Sequence, residues 1–104
     1  MLNCGENMKK SDPFYKSAKW KKKRETILRR DGYSCQMSKR YGKQLAADTV
    51  HHIYPRGEYP QYAFCDWNLI SLSRKWHNAL HNRENDSLTV LGEKLKQTIT
   101  PPIL

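Results

Sequence analysis

All four histidines of this 104-residue chain fall in two short segments. His51 and His52 are adjacent, and His77 and His81 follow some two dozen residues later, four positions apart. On a helix, the spacing i, i+4 places both imidazoles on one face, where they can share a cation. Because histidine is the commonest protein ligand of transition metals, these two segments predict a metal site.

The adjacent histidines predict that one acts as a ligand and the other as a base. The β-branched, apolar sequence around His51 and His52 is typical of a strand, in which neighbouring side chains point to opposite faces. One of the two can join the helical pair on a metal ion, while the other keeps a free ring nitrogen. A metal-assisted hydrolase needs such an imidazole as its general base. The alternative is four unrelated histidines, which is disfavoured because the chain has no other histidine.

The positive charge of the chain is concentrated before the histidines. The formal net charge is +9, and residues 1–45 carry 13 of the 19 Lys and Arg but 4 of the 10 acids. Such a surface attracts the phosphates of nucleic acids by counterion release. A solvated face that only maintains solubility is the alternative. We expect Lys21, Lys22 and Lys23 to contact DNA, and we also assign Arg56, for which a solvated loop position is equally compatible.

Length and composition predict one small domain in the cytoplasm. No apolar run is long enough to cross a membrane, and the first residues lack the pattern of a signal peptide, so we expect no membrane partner. The three cysteines, Cys4, Cys35 and Cys65, are odd in number and far apart, which disfavours a disulfide framework. A closed zinc site needs four nitrogen or sulfur ligands, so we expect no cysteine-bound zinc.

Periodicity and cap residues predict the elements that position the histidines. Residues 1–14 are expected to be a loose tail and residues 15–104 the domain. The predicted elements are a basic helix from Ser17 to Asp31 with Trp20, Ile27 and Leu28 inward, a short strand over 33–37, strands over Thr49–Tyr54 and Leu69–Leu72, a helix over 73–83, and a last helix after Ser87 with Leu88, Leu91 and Leu95 inward.

Strand, loop, strand and helix, carrying these residues in this order, resemble the HNH endonuclease family. The resemblance rests on His51-His52-Ile53-x-Pro55, Asn68-Leu69-x-x-Leu72 and His77-Asn78-x-x-His81, and it covers residues 33–83. The small phage-encoded members and the colicin nuclease domains are the most similar branches. The resemblance implies an α+β fold: a small ββα-metal core with a basic N-terminal helix and a C-terminal helix.

The resemblance also implies a role for each motif residue. His51, His77 and His81 would bind one divalent metal ion, and His52 would be the general base. Asn68 would brace the loop between the strands and help to hold the base in place. The identity of the ion stays open among zinc, nickel, manganese and magnesium.

Relatives with C-x-x-C knuckles use four cysteines to pin the fold, and this chain departs from that pattern. The corresponding segments here are Cys35-x-x-Ser38 and Ser73-x-x-Trp76, which retain one cysteine. We expect apolar packing by Trp76 to replace the stabilising metal ion that the four cysteines hold in those relatives.

The expected function is a metal-dependent endonuclease that hydrolyses or nicks double-stranded DNA with little sequence preference. One alternative is a non-catalytic nucleic-acid-binding domain in which the histidines hold a structural zinc. His52 disfavours that alternative, because a closed ligand shell has no use for a free adjacent imidazole. Another is an accessory protein of phage DNA packaging whose cutting depends on packaging partners, which is compatible with nuclease chemistry.

Overall fold

The computed structural model describes residues 13–82 and 87–102. Its elements, in chain order, are α1 (Pro13–Lys16), α2 (Ala18–Arg30), α3 (Gln36–Arg40), β1 (Thr49–His52), β2 (Leu69–Leu72), α4 (Arg74–Leu80), β3 (His81–Asn82), β4 (Ser87–Leu88) and α5 (Val90–Thr98). No helix in these ranges is long and apolar enough to cross a bilayer. The predicted tail over residues 1–14 lies outside the described residues, except for Pro13 and Phe14 in α1.

The basic helix α2 begins and ends where the sequence predicts. Ser17 is its N-cap, and the Ser17 hydroxyl accepts a hydrogen bond from the Trp20 backbone N–H at 3.1 Å. Such a cap contributes about 1 kcal/mol. Gly32, with φ 65°, follows the helix in the left-handed region, which a residue without a Cβ adopts at little cost. Trp20, Ile27 and Leu28 are buried, as predicted.

Asp31 ties the end of α2 to the sheet. Its carboxylate accepts hydrogen bonds from the Arg30 guanidinium at 2.8 Å and from the Ser71 backbone N–H at 3.0 Å. Burial raises the pKa of a carboxyl group, but these hydrogen bonds outweigh burial, and the pKa of Asp31 lies below its usual 3.8. The ionised carboxylate therefore stabilises the contact between α2 and β2 at neutral pH.

The predicted strand over residues 33–37 is wrong. Ser34 makes only an isolated antiparallel bridge to Ala46, and α3 follows at once. Cys35 caps this helix, since its sulfur accepts a hydrogen bond from the Ser38 backbone N–H at 3.5 Å. The helix cap leaves too few residues for a strand.

The antiparallel pair β1–β2 separates the two adjacent histidines. His51 lies opposite Ile70, and His52 lies opposite Leu69. β2 has its predicted bounds, whereas β1 ends at His52 rather than at Tyr54. Because neighbouring strand residues point to opposite faces, His51 faces α4 and His52 faces α2.

The core lies on both faces of this small sheet. On the side of α4 and α5, the buried residues are Cys35, Met37, Ile53, Ile70, Leu72, Leu80 and Leu95. On the side of α2, they are Trp20, Ile27, Leu28, Ala47, Val50 and Leu69. Each fully buried aliphatic side chain contributes about 1.5–3 kcal/mol, so these two clusters hold β1 and β2 rigidly between the helices.

The helix predicted over residues 73–83 is shorter in the structure. Ser73 caps α4 and accepts a hydrogen bond from the Trp76 backbone N–H at 3.3 Å. His81 follows the helix with extended dihedral angles, φ −134° and ψ 124°, and pairs with Leu88 across β3 and β4. The prediction that His77 and His81 share one helix is therefore wrong.

The last helix, α5, begins later than predicted, with Thr89 as its N-cap. The Thr89 hydroxyl accepts a hydrogen bond from the Gly92 backbone N–H at 3.1 Å. A Cβ at Gly92 would collide with the carbonyl oxygen of Leu80, so only glycine allows α5 to approach the end of α4 this closely. Leu95 is buried as predicted, but Leu91 is 37% exposed.

Candidate active site

Three of the four histidine rings lie together between β1 and α4. The ring centroid of His51 is 5.3 Å from that of His77 and 6.4 Å from that of His81. The His77 and His81 rings are 5.6 Å apart and nearly parallel. The structure thus brings together the three residues that the sequence assigns to the metal, although His81 reaches the group from beyond the helix.

These separations are close to those of a metal shell. Three imidazoles on one tetrahedral ion, with metal–nitrogen bonds of about 2.0–2.1 Å, have ring centroids about 5 Å apart. Two of the three pairs meet this value, and the pair of His51 and His81 would need to approach by about 1 Å. Within residues 13–82 and 87–102, no three His, Cys, Asp or Glu side chains are already placed to hold a metal ion, so binding requires the histidine rings to move closer together.

His51 carries an orphaned polar atom that fits a metal ion. Its side chain is 2% exposed, and its Nε2 atom is buried without a hydrogen-bond partner among the described residues. Burial, followed by the repulsion of the other histidines, lowers the pKa of His51 well below its usual 6.5. The ring is therefore neutral at physiological pH, which is the state that binds metal ions. An unpaired buried nitrogen costs about 1–3 kcal/mol, and coordination would remove that cost.

Separate local contacts position the other two rings of the group. His77 lies on α4, and its backbone N–H donates to the carbonyl of Ser73 at 2.9 Å. His81 is held by its pairing with Leu88, while the Thr89 hydroxyl donates to the Ala79 carbonyl at 2.6 Å. The pairing of β3 with β4 therefore sets the position of His81, and a helical spacing rule cannot predict it.

The fourth histidine, His52, lies on the other face of β1. Its ring stacks on the indole of Trp20, with centroids 4.9 Å apart and planes inclined by 23°. Its Nε2 atom lies 3.1 Å from the carbonyl oxygen of Ala63. The ring centroids of Phe14 and Tyr15 in α1 lie 5.9 and 6.3 Å from that of His52. Together these rings leave His52 only 7% exposed.

The contact with Ala63 determines the tautomer of His52. A carbonyl oxygen only accepts hydrogen bonds, so Nε2 must carry the proton and Nδ1 is the basic nitrogen of the neutral ring. No hydrogen bond among the described residues involves Nδ1. Burial lowers the pKa of His52 to about 4; the Ala63 carbonyl opposes this shift, and the charge of Arg56 adds to it. At neutral pH the ring is therefore uncharged and able to accept a proton.

Asn68 is a completely buried brace between the strands. Its Oδ1 atom accepts a hydrogen bond from the Tyr54 backbone N–H at 2.7 Å. Its Nδ2 atom donates to the carbonyls of Tyr54 and Tyr62, at 3.2 and 3.1 Å. These hydrogen bonds join the start of β2 to the loop after β1, where the resemblance expects Asn68 to act. The described contacts of Asn68 go to the backbone of the loop and not to a histidine ring.

Arg56 is buried, so the alternative prediction of a solvated loop position is wrong. Its side chain is 5% exposed, and its guanidinium carbon is 4.2 Å from the centre of the Phe14 ring and 5.1 Å from that of Tyr15. These are cation–π contacts, which gain strength when the cation is desolvated. In this conformation, α1 covers the Arg56 guanidinium.

Part of the basic surface of α2 is used within the protein. Lys23 forms an ion pair with Asp66 at 2.6 Å, and the Arg24 guanidinium donates to the Asp48 carbonyl at 2.6 Å. Of the three lysines predicted to contact DNA, Lys21 and Lys22 remain exposed and have no such partner in the described residues.

Sequence reasoning missed the groups that hold His52 in place. Trp20 was assigned to the core because of helical periodicity, which does not reveal that its indole packs on an imidazole. The carbonyl of Ala63 leaves no signal in a sequence, because every residue carries one. Phe14 lay in the segment expected to be a loose tail, although an aromatic residue so close to α2 was a detectable sign of packing.

Comparison with solved structures finds a similar protein. It is an HNH endonuclease of the deep-sea thermophilic bacteriophage GVE2, crystallised with a manganese ion. The two chains are 32% identical, with a TM-score of 0.63, and the match covers 65% of this chain and 74% of the other. No protein-family model and no curated protein matches the chain.

Proposed function

Because the chain belongs to the HNH endonuclease family, we propose that it is a metal-dependent endonuclease that nicks or cuts double-stranded DNA. One observation carries this proposal: a neutral imidazole, His52, is held by a carbonyl on one nitrogen, and the residue before it belongs to a group of three further imidazoles. A binding domain needs no such base.

The metal would be held by His51, His77 and His81. All three donors are imidazole nitrogens, a set that suits nickel or zinc better than magnesium. Manganese is the ion in the crystal structure of the similar phage endonuclease. When bound, a divalent ion would polarise the scissile phosphate and stabilise the negative charge on the departing 3′ oxygen. The orphaned Nε2 atom of His51 is the feature of this chain that favours such a ligand.

In the proposed reaction, His52 accepts the proton of the attacking water at Nδ1. The proton on Nε2 stays in place, because the Ala63 carbonyl holds it. Stacking on Trp20 restricts rotation of the ring, so the basic nitrogen keeps one direction. Asn68 contributes indirectly, since it fixes the loop that begins two residues after His52.

Double-stranded DNA is the proposed substrate, and exposed cations would bind its phosphates. Lys21 and Lys22 on α2 are candidates for these contacts, because no described acid neutralises them. Arg56 would join them only after α1 moves away from it. A role in phage DNA packaging is compatible with this activity, and the phage origin of the similar structure favours it.

A nicking assay on supercoiled plasmid DNA, with and without EDTA and with a series of divalent ions, tests the proposal. The informative variant is His52→Gln, because its amide can still donate to the Ala63 carbonyl while offering no comparable base. We expect it to nick about 10²–10⁴-fold more slowly than the parent and to retain the bound metal. If it nicks at the parental rate, or loses its metal together with its activity, the roles of His51 and His52 must be exchanged.

A further inference from the structure

A second basic surface lies on α3, on the turn after it and on the first turn of α4. Five exposed cations of this surface form no hydrogen bond or ion pair within the described part of the chain: Lys39, Arg40, Lys43, Arg74 and Lys75. Residues 32–47 and 67–83 contain no Asp or Glu. This concentration of unneutralised charge exceeds what remains on α2.

An aromatic platform, formed by Tyr41 and Trp76, joins the two parts of this surface. Their ring centroids are 5.6 Å apart and their planes are parallel within 1°. Tyr41 is 64% exposed, so the face of its ring that points away from the indole is open to a ligand. Trp76 immediately precedes His77, so α4 carries both a ring of the platform and a member of the histidine group.

We propose that the Tyr41–Trp76 platform binds an unpaired base of a single-stranded DNA segment adjoining the duplex that is cut. The inference rests on the proposed nuclease function and names its preferred substrate. An exposed aromatic face among lysines and arginines combines stacking with phosphate binding, as in sites for single-stranded nucleic acids. Bases inside a duplex are already stacked on both faces, so an unpaired base, and not an internal base pair, is the expected partner of Tyr41.

Anionic ligands without a ring do not account for this arrangement. An acidic peptide or a duplex backbone would use the charges of Lys39, Arg40 and Arg74 but would have no need of an exposed aromatic face. The platform adds the second element, a flat apolar surface backed by an indole that holds it in one orientation. An unpaired nucleotide matches both elements, because its phosphate suits the cations and its base suits the aromatic face.

The test compares the affinities of three fluorescent DNAs in EDTA, which prevents cutting. The first is a blunt duplex, the second carries a short single-stranded tail, and the third carries the same tail without bases. We expect the parent protein to bind the tailed duplex most tightly and to lose most of that gain with the abasic tail, which keeps the phosphates. Tyr41→Ala should weaken binding of the tailed duplex roughly 5- to 150-fold and leave blunt duplex binding unchanged.

Two control variants separate stacking from structure. Tyr41→Phe keeps the ring and should retain the preference for the tail, and Leu45→Ala, at another exposed apolar position, should change nothing. Equal affinity of the parent for tailed and abasic-tailed duplexes would overturn the proposal, whether or not Tyr41→Ala folds. Equal weakening of blunt and tailed binding in Tyr41→Ala would also overturn it. A tail preference in a protein that never nicks DNA would refute the proposed function and leave this binding site standing.

Discussion

Replacing Asn68 with alanine should destabilise the protein strongly. The change removes three hydrogen bonds, to the Tyr54 N–H and to the carbonyls of Tyr54 and Tyr62. Each lost bond costs about 1 kcal/mol net, and the orphaned N–H costs up to about 3 kcal/mol if it stays dry. A total near 3 kcal/mol would lower the melting temperature by about 12–24 °C for a domain of this size.

Thermal unfolding followed by circular dichroism measures this loss. The matched control is Asn78→Ala, which removes an exposed amide from α4 and should change stability by no more than about 0.5 kcal/mol. Nicking by Asn68→Ala should fall mainly because the loop next to His52 loosens. If Asn68→Ala melts like the parent but is inactive, Asn68 acts directly in catalysis and the bracing argument is wrong.

Three further predictions concern the metal, the pH dependence of stability and the charge. His77→Ala should lose most of the bound divalent ion, as measured by metal analysis after dialysis, whereas Cys35→Ser should keep it; the reverse would place the ion at the cysteine. The pKa of Asp31 is lower in the folded protein than its usual 3.8. The stabilisation that the ionised carboxylate provides is therefore fully present above pH 3.8 and is lost as the pH falls through the pKa of the folded state. Urea unfolding at neutral and acidic pH measures this contribution. The free energy of unfolding should fall less on acidification in Asp31→Asn than in the parent protein, and an equal fall in both would contradict the stabilising role of the Asp31 carboxylate. Replacing Lys21 and Lys22 with glutamine should weaken binding to all duplex sequences alike. The slope of log affinity against log salt concentration should become less steep by about 0.9 for each phosphate contact that is lost. A change confined to one sequence would argue for base contacts.

The elements around the adjacent histidines were predictable because their signals are local. The Ser17 cap and the Asp31-Gly32 stop bound α2, and the apolar run of β2 is bounded by Asn68. The alternation of β1 also predicted that His51 and His52 face opposite sides of the sheet. Each inference depends on residues within one turn or one strand.

The errors occurred where contacts between distant residues determine the structure. Helical spacing placed His81 on α4, but pairing with Leu88 draws it into β3. The approach of Gly92 to Leu80 then fixes the end of the helix, and this contact joins residues twelve positions apart. The group of three histidines formed nonetheless, because an extended residue directly after α4 still leaves its ring beside His77.

Two residues at the positions of the cysteine knuckle, Cys35 and Trp76, connect the core to the basic surface on α3 and α4. Cys35 is buried where α3 meets α4; burial raises the pKa of its thiol, but hydrogen bonds from Ser38 and Ser73 outweigh burial and lower it. Cys35 caps α3 and Ser73 caps α4, so this contact brings the starts of the two helices together. At the fourth knuckle position, Trp76 packs against the core and stacks on Tyr41, so the residue that takes the place of a ligand also builds the aromatic platform. A cysteine there could not present a ring, so the side chain that packs against the core at this position also supplies half of the surface proposed to bind an unpaired base.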